Sequence, residues 1–381
     1  MTRFGIEEEF ALLDEETLVP VPLGSAAMDA LTGGAGTVAS GNSVQEKSAG
    51  TVKAEFLASQ LEFATSPVHT LAEAGRQLRQ CRLTLAEFAR QRSSVAVGTG
   101  TPFGVGPTGS VTASERYGTI AHWLGRISET HHVNGMHVHV EIPDAEARVR
   151  ALNAVRPWLP VLLALSANSP FADACDTGHA SWRSIIMRRL PLFGSPPHFV
   201  DADHYQATVD RLVRGHVIPD AASVAWVARV SARYPTLELR VFDAQLTADD
   251  TLLLAALCRA LVVTASADTA PSDAAPSDSR GPVHDTDDIQ TSLWSAARWG
   301  MDATLAHPTT GEPVAATLTL QLLLRALTPA LAESDDLAFV EEHISRILRE
   351  GNGAERQRAA YRDSGVAGLR ALVSAPQSAA A

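Results

Sequence analysis

Apolar and polar residues alternate with period two through several stretches of this chain, the pattern of a strand with one buried face. In NGMHVHVEIP, Met136, Val138, Val140 and Ile142 fall on one side and His137, His139 and Glu141 on the other. In YPTLELRVFD, Leu237, Leu239 and Val241 oppose Glu238 and Arg240. Such patterns predict strands over residues 3–12, 60–65, 94–98, 135–142 and 236–242. Apolar spacings of three and four predict helices over 71–92, with a stripe at Leu71, Leu78, Leu85 and Phe88, and over 145–167, 247–263, 314–327 and 335–350. The two kinds of stretch are mixed without regular βαβ alternation, which argues against a doubly wound parallel sheet and for an α+β fold.

The first predicted strand contains FGIEEEF, with three glutamates side by side. Alternation splits the triplet: Glu7 and Glu9 share one face, while Glu8 joins Ile6 and Phe10 on the other. Two carboxylates about 7 Å apart on one face repel by about 2.4 kcal/mol at an effective dielectric of about 20. A buried pair therefore needs a cation, whereas a solvated sheet face carries the same pattern without one. EFLASQLEFATSP adds Glu62 and, a few residues earlier, Glu55. Together with His137, His139, Glu238 and Arg240, these residues predict a shared concave site lined by carboxylate, histidine and arginine. Ligand sets dominated by oxygen select hard cations such as Mg²⁺ or Mn²⁺, which often bridge phosphates, and zinc would want more nitrogen or sulfur. The HVH pair taken alone is a weak signal and better fits satisfied structural histidines.

Composition narrows the class. The chain has 381 residues, 45 % hydrophobic and 19 % charged, a profile of a globular enzyme with room for a sizeable core. A net charge of −12 offers no basic footprint for nucleic acid. The apolar runs 159–167 and 252–263 are too short for a bilayer crossing and are interrupted by Pro160 and Arg259, so they read as buried helices and no membrane partner is expected. No secretory signal is visible at the N-terminus, and the cytoplasm is the expected location. Cys81, Cys175 and Cys258 lie far apart without CxxC spacing and read as free thiols filling the core. No GxxxxGK[ST] loop is present, which argues against a P-loop mode of nucleotide binding. Residues 1–381 read as one domain with a flexible, Pro-, Ser- and Asp-rich loop at 267–288, and the glycine-rich 31–43 reads as an irregular connection. A homo-oligomer is allowed by the sequence and not specified by it.

FGIEEEF, QLEFATSP, GMHVHVEIPD, LSANSPF, DTGHASWR and YPTLELRVFDAQ, followed by SAARWGMD and GNGAERQRAAY, occur in this order. The ordered set resembles the glutamate–cysteine ligase type 2 family, the YbdK-like carboxylate–amine ligases, over nearly the whole chain. The resemblance implies a glutamine synthetase-like fold: a curved, mainly antiparallel sheet forming a funnel, with helices packed on its outer face. It also implies ATP-dependent ligation through an acyl phosphate, with glutamate as the carboxylate and cysteine, or another amine, as the acceptor. By the same resemblance Glu7, Glu9, Glu55, Glu62 and Glu238 hold Mg²⁺ or Mn²⁺. His137 lies beside the nucleotide phosphates with His139 on the same strand, and Arg240 and Arg183 meet phosphate or substrate carboxylate. The chain departs from the family pattern at His179, Trp182 and IIMRRLP, where an aromatic-rich YASYR is expected, so the departure falls on the substrate pocket and not on the metal positions. A metal-dependent amidohydrolase built around His137 and His139, and a binding protein that keeps the fold without catalysis, are the alternatives.

Overall fold

Antiparallel pairing organises the chain. In the computed structural model, which describes residues 1–32, 50–104, 109–267 and 286–374, the strands include β1 (Phe4–Asp14), β2 (Thr51–Ala54), β3 (Gln60–Ala64), β4 (Ser94–Val97), β5 (Gly135–Glu141), the two-residue β6 (Phe171–Ala172) and β7 (Cys175–Asp176), β8 (Ala228–Val230) and β9 (Thr236–Asp243). The helices include α1 (Gly24–Leu31), α2 (Leu71–Arg90), α3 (Glu115–Leu124), α4 (Ala145–Val155), α5 (Leu159–Ser166), α6 (Trp182–Met187), α7 (Ala202–Arg214), α8 (Ala248–Ala267), α9 (Thr286–Trp299), α10 (Ala316–Glu333), α11 (Leu337–Glu350) and α12 (Gly353–Ser374). The main sheet runs β2-β3-β1-β5-β9-β8, with β4 pairing the far end of β1, and every pair in it is antiparallel. This is the α+β arrangement expected, and all five predicted strands form at their predicted places.

One face of the sheet is core. Ile6, Phe10, Leu61, Phe63, Met136, Val138, Val140, Leu237, Leu239 and Val241 are buried on it, against α2, α4 and α8. From Leu252 to Val262 every residue of α8 is buried, so this helix is apolar all round because protein surrounds it. No helix among the described residues is long and apolar enough to cross a membrane. Helix α2 starts at Leu71 because Thr70 and Glu73 cap it reciprocally: the Glu73 amide donates to Thr70 Oγ1 at 3.2 Å, and the Thr70 amide donates to the Glu73 carboxylate at 3.1 Å.

Several expectations need correction. The predicted helix 145–167 is broken into α4 and α5 by a 3₁₀ turn at Arg156–Trp158, since Pro157 and Pro160 have no amide hydrogen to continue the ladder. In 267–288 the ends are helical: Ala267 closes α8, and Thr286, Asp287 and Asp288 open α9, where acidic residues suit a helix N-terminus. Residues 268–285 lie outside the described residues, as do 33–43 of the predicted glycine-rich connection, whose Leu31 closes α1. Cys81 and Cys258 are buried thiols, but Cys175 is exposed, because β7 is part of a two-residue ladder at the surface. Strands β2 and β8 are edge strands of four and three residues, too short to show a period.

Candidate active site

Residues paired across an antiparallel ladder point to the same side, so the register decides which polar groups meet. Lys53 of β2 pairs with Glu62 of β3, Glu62 with Glu9 of β1, Glu7 with His137 of β5, His139 with Glu238 of β9, and Glu238 with Arg229 of β8. One polar row thus crosses six strands on the face opposite the core. Glu8 is out of phase with it and lies on the core face, 1 % exposed. Its carboxylate accepts from Arg82 of α2, Nε to Oε2 at 3.1 Å and Nη2 to Oε1 at 2.6 Å, and from the Thr251 hydroxyl of α8. The third glutamate of the triplet therefore pins the sheet to its helices.

The row holds two groups of three. Glu9, Glu55 and Glu62 each offer an oxygen, all within 4.8 Å of one another, and Glu7, His137 and Glu238 do the same with a nitrogen in the set. In the first group the Gly135 amide donates to Glu9 at 2.6 Å, the Phe56 amide to Glu55 at 2.9 Å and Lys53 Nζ to Glu62 at 2.8 Å. Burial, reinforced by Glu9 and Glu62, pushes the Glu55 carboxyl well above its usual range. Burial also pushes Glu9 up to about 7 against the pull of Arg183, and raises Glu62, with Glu7 adding to it. Three carboxyls that resist ionising together lack positive charge, and their all-oxygen donor set fits Mg²⁺ or Mn²⁺.

The second group is better compensated. His137 Nδ1 lies 2.9 Å from Glu7 Oε2, and His139 Nε2 lies 3.4 Å from Glu7 Oε1. Glu238, 1 % exposed, is gripped by Arg240 and side-on by Arg229, at 2.8 Å from Nε and 3.1 Å from Nη2. Burial works against both carboxylates. Hydrogen bonds to His137 and His139 nevertheless hold Glu7 far below the usual range, and the Arg240 and Arg229 charges hold Glu238 low. Burial and Arg240 push His137 down to about 4, leaving it neutral at pH 7 as a metal-ligating imidazole must be. His139 is raised against burial by Glu7 and Glu238, and its Nδ1 lies 3.0 Å from Thr236 Oγ1.

Arg183, in the first turn of α6, is 3 % exposed, and neither Nε nor Nη1 has a hydrogen-bond partner among the described residues. Gly135 leaves the room its guanidinium fills, since a Cβ there would lie 2.5 Å from Nη2. A buried guanidinium with open donors is suited to receive a carboxylate or phosphoryl oxygen.

All nine sequence-predicted residues thus converge: Glu7, Glu9, Glu55, Glu62, Glu238, His137, His139, Arg183 and Arg240. The five glutamates, read from sequence as one metal-binding set, divide between two groups, and His137 stands inside one of them. Sequence reasoning missed Lys53 and Arg229, which neutralise Glu62 and Glu238 from the short edge strands, and Asp243, the residue that ends β9. It also missed Tyr117 of α3, whose hydroxyl donates to the Ala54 carbonyl at 3.0 Å and whose ring meets Phe56 edge-on at 5.8 Å. A search for cations able to balance five glutamates on one sheet face would have found the first two.

Residues 3–374 match the family model of glutamate-cysteine ligase family 2. A relative provisionally named glutamate–cysteine ligase 2 from Salinispora arenicola is 39 % identical over 357 residues, covering 93 % of this chain and 89 % of its own. Another, provisionally named glutamate–cysteine ligase 2-2, from Saccharopolyspora erythraea, is 38 % identical over 374 residues, covering 97 % and 91 %. Among solved structures, glutamate–cysteine ligase from Francisella tularensis in complex with AMP matches with a TM-score of 0.70 at 12 % identity, over 100 % of this chain and 89 % of that one. A bifunctional glutathione synthetase from Pasteurella multocida matches with a TM-score of 0.64 at 14 % identity, over 99 % and 52 %. At such identities the structures speak for the fold, and the fold is the one the sequence resemblance implies. The sequence match, extending over nearly the whole length, shows that this chain belongs to glutamate-cysteine ligase family 2.

Proposed function

We infer that the protein is an ATP-dependent carboxylate–amine ligase that joins the γ-carboxylate of glutamate to an amine, cysteine first among the candidates, with Mg²⁺ or Mn²⁺ in the site. The observation that carries this reading is the pair of carboxylate groups side by side on one sheet face, bordered by Arg183 and Arg240. Making an amide from a carboxylate requires a leaving group. Transfer of the γ-phosphoryl of ATP to a carboxylate oxygen supplies it and releases ADP. The amine nitrogen then attacks the acyl carbon, the C–O bond to phosphate breaks, and the nitrogen loses a proton.

For this chemistry the protein's task is placement and electrostatics. Glu9, Glu55 and Glu62 would hold one divalent ion and Glu7, His137 and Glu238 a second, and such ions neutralise phosphate charge. Arg183 presents open donors to an incoming anion. Arg240 lies beside His137 and Glu238, where its fork can follow a transferred group. The sheet behind these residues is dry core, which fixes the row to within the tolerance of packed side chains. One catalytic unit spanning 1–381 and a cytoplasmic setting belong to the same proposal.

Hydroxylamine tests it. ATP, glutamate and Mg²⁺ without an amine should yield a trappable γ-glutamyl hydroxamate together with ADP. A panel of amines should then stimulate ADP release, cysteine most strongly. Folded, metal-loaded protein that makes no hydroxamate from glutamate or any other carboxylate would refute the ligase reading.

A further inference from the structure

We propose that Asp243 is a positioning residue that holds the Arg183 guanidinium open toward the reacting anion, giving it a counter-charge without occupying its donors. The proposal rests on the ligase reading above. Asp243 is fully buried, and its oxygens are engaged elsewhere. Oδ2 accepts from the Asn168 amide at 2.8 Å and the Ser169 hydroxyl at 2.7 Å, and Oδ1 accepts from the Ser181 hydroxyl at 2.8 Å. Those two hydroxyls accept in turn from the amides of Arg183, at 3.1 Å, and Ser184, at 3.3 Å. The carboxylate therefore sets the place from which the Arg183 side chain departs.

Nη1 of Arg183 lies 3.9 Å from Asp243 Oδ1, near enough for charge and too far for a hydrogen bond. The contrast with Arg229 is direct, for that guanidinium makes two hydrogen bonds to Glu238. Space enforces the difference on both sides. A Cβ at Gly135 would meet the guanidinium, and a Cβ at Gly100 would lie 2.6 Å from Asp243 Cγ. The tail motif GNGAERQRAAY joins the same assembly: Gln357 Nε2 donates to Asn168 Oδ1 at 2.7 Å, and Asn168 Nδ2 donates to the Ala244 carbonyl at 2.7 Å. A sequence motif at the end of the chain thus acts on the site through the link from Asn168 to Asp243.

A double-mutant cycle on the full chain decides the matter. Asp243→Asn keeps shape while removing the charge and exchanging one accepting oxygen for a donor, and Arg183→Met removes the guanidinium. With hydroxamate formation as readout and melting curves for every variant, each change should lower kcat/KM for glutamate by about 100-fold, and the double variant should fall no further. The Asp243→Asn loss should lie mainly in KM for the anion that Arg183 receives. Additive losses, or Asp243→Asn within about threefold of the native rate, would overturn the proposal. Should Asp243→Asn not fold, Ser181→Ala removes one hydrogen bond to the carboxylate and leaves its charge. A loss of about threefold to tenfold that disappears in the Arg183→Met background supports the proposal, and an equal loss in both backgrounds defeats it. Native protein that forms no hydroxamate counts against the ligase reading alone. The same cycle is then read as the rise in melting temperature with added inorganic phosphate, where non-additive losses support the Asp243 link and additive ones reject it.

Discussion

Neighbouring glutamates on β1 should answer the same Glu→Gln change with opposite signs. In Glu8→Gln, Arg82, only 4 % exposed, loses its carboxylate while keeping the carbonyls of Gln245 and Leu246 at 3.0 Å each. Removing one partner of a buried ion pair costs about 3–5 kcal/mol, out of a total stability of about 5–15 kcal/mol. For a chain of this size that is a fall of about 4–6 °C in Tm. Glu9 behaves otherwise, because burial pushes its carboxyl up to about 7 from an ordinary value of 4.5. Between those two values the unfolded chain has already released the proton that the folded chain still binds, so native stability falls as pH rises through this window. Fully developed above pH 7, the loss is at most about 3 kcal/mol. Glu9→Gln escapes it. In EDTA, Glu9→Gln should melt with the native protein near pH 4.5 and several degrees above it at pH 8, while Glu8→Gln melts well below both at neutral pH. Scanning calorimetry from pH 4.5 to 8 reads all three proteins. If Glu9→Gln melts below the native protein at pH 8, or Glu8→Gln melts with it at pH 7, the assignment of the two faces is wrong.

Mg²⁺ or Mn²⁺ should raise Tm, more at pH 8 than at pH 5.5, because Glu9, Glu55 and Glu62 must ionise to bind it; a pH-independent rise in thermal-shift assays would contradict this. Glu238→Gln should abolish hydroxamate trapping, and Arg240→Lys should weaken it by about tenfold or more, since lysine cannot reproduce a forked contact; rates near native for both would remove these residues from the site. Gly135→Ala should displace Arg183 and lower ligase turnover sharply with a shift in Tm of only a few degrees, whereas unchanged turnover would show that the guanidinium has room to spare.

Strands β1, β3, β5 and β9 were legible because apolar and polar residues alternate along them: each packs one face into the core and carries chemistry on the other. The division into two ligand groups was not legible, because it depends on register. Nothing local says that Glu9 faces Glu62 while Glu7 faces His137, and a slip of one residue would have exchanged Glu7 and Glu9 for Glu8. Lys53 and Arg229 escaped notice because strands of three or four residues are defined by their neighbours and not by a period. The break between α4 and α5 was written in Pro157 and Pro160, but the apolar run on either side outweighed it. Arg82 could have been found, since a charged residue in the buried stripe between Leu78 and Leu85 demands a buried partner, and Glu8 was the acid left over.

Charge explains why this face can be acidic and still fold. Six carboxylates, Glu7, Glu9, Glu55, Glu62, Glu238 and the Asp243 that faces Arg183, meet four cations, Lys53, Arg183, Arg229 and Arg240, leaving a formal charge of −2 on the face. The balance is uneven. Glu7 and Glu238 have histidines and two arginines beside them and stay ionised, whereas Glu9, Glu55 and Glu62 share Lys53 and the more distant Arg183 and resist ionising. The undercompensated group is thus the one that gains most from a divalent ion, and a vacancy in positive charge confined to one end of the row gives the ion a preferred seat. On the proposed reading an ion in each group turns the face from slightly negative to positive, which is the sign a polyanionic triphosphate and a second carboxylate require. The order follows from the electrostatics: cations first or together with the nucleotide, then the substrate carboxylate. Equilibrium dialysis with radiolabelled nucleotide should therefore show little binding in EDTA and binding restored by Mg²⁺. Equal nucleotide binding with and without the ion would mean that the four cations suffice and the acidic groups serve another purpose.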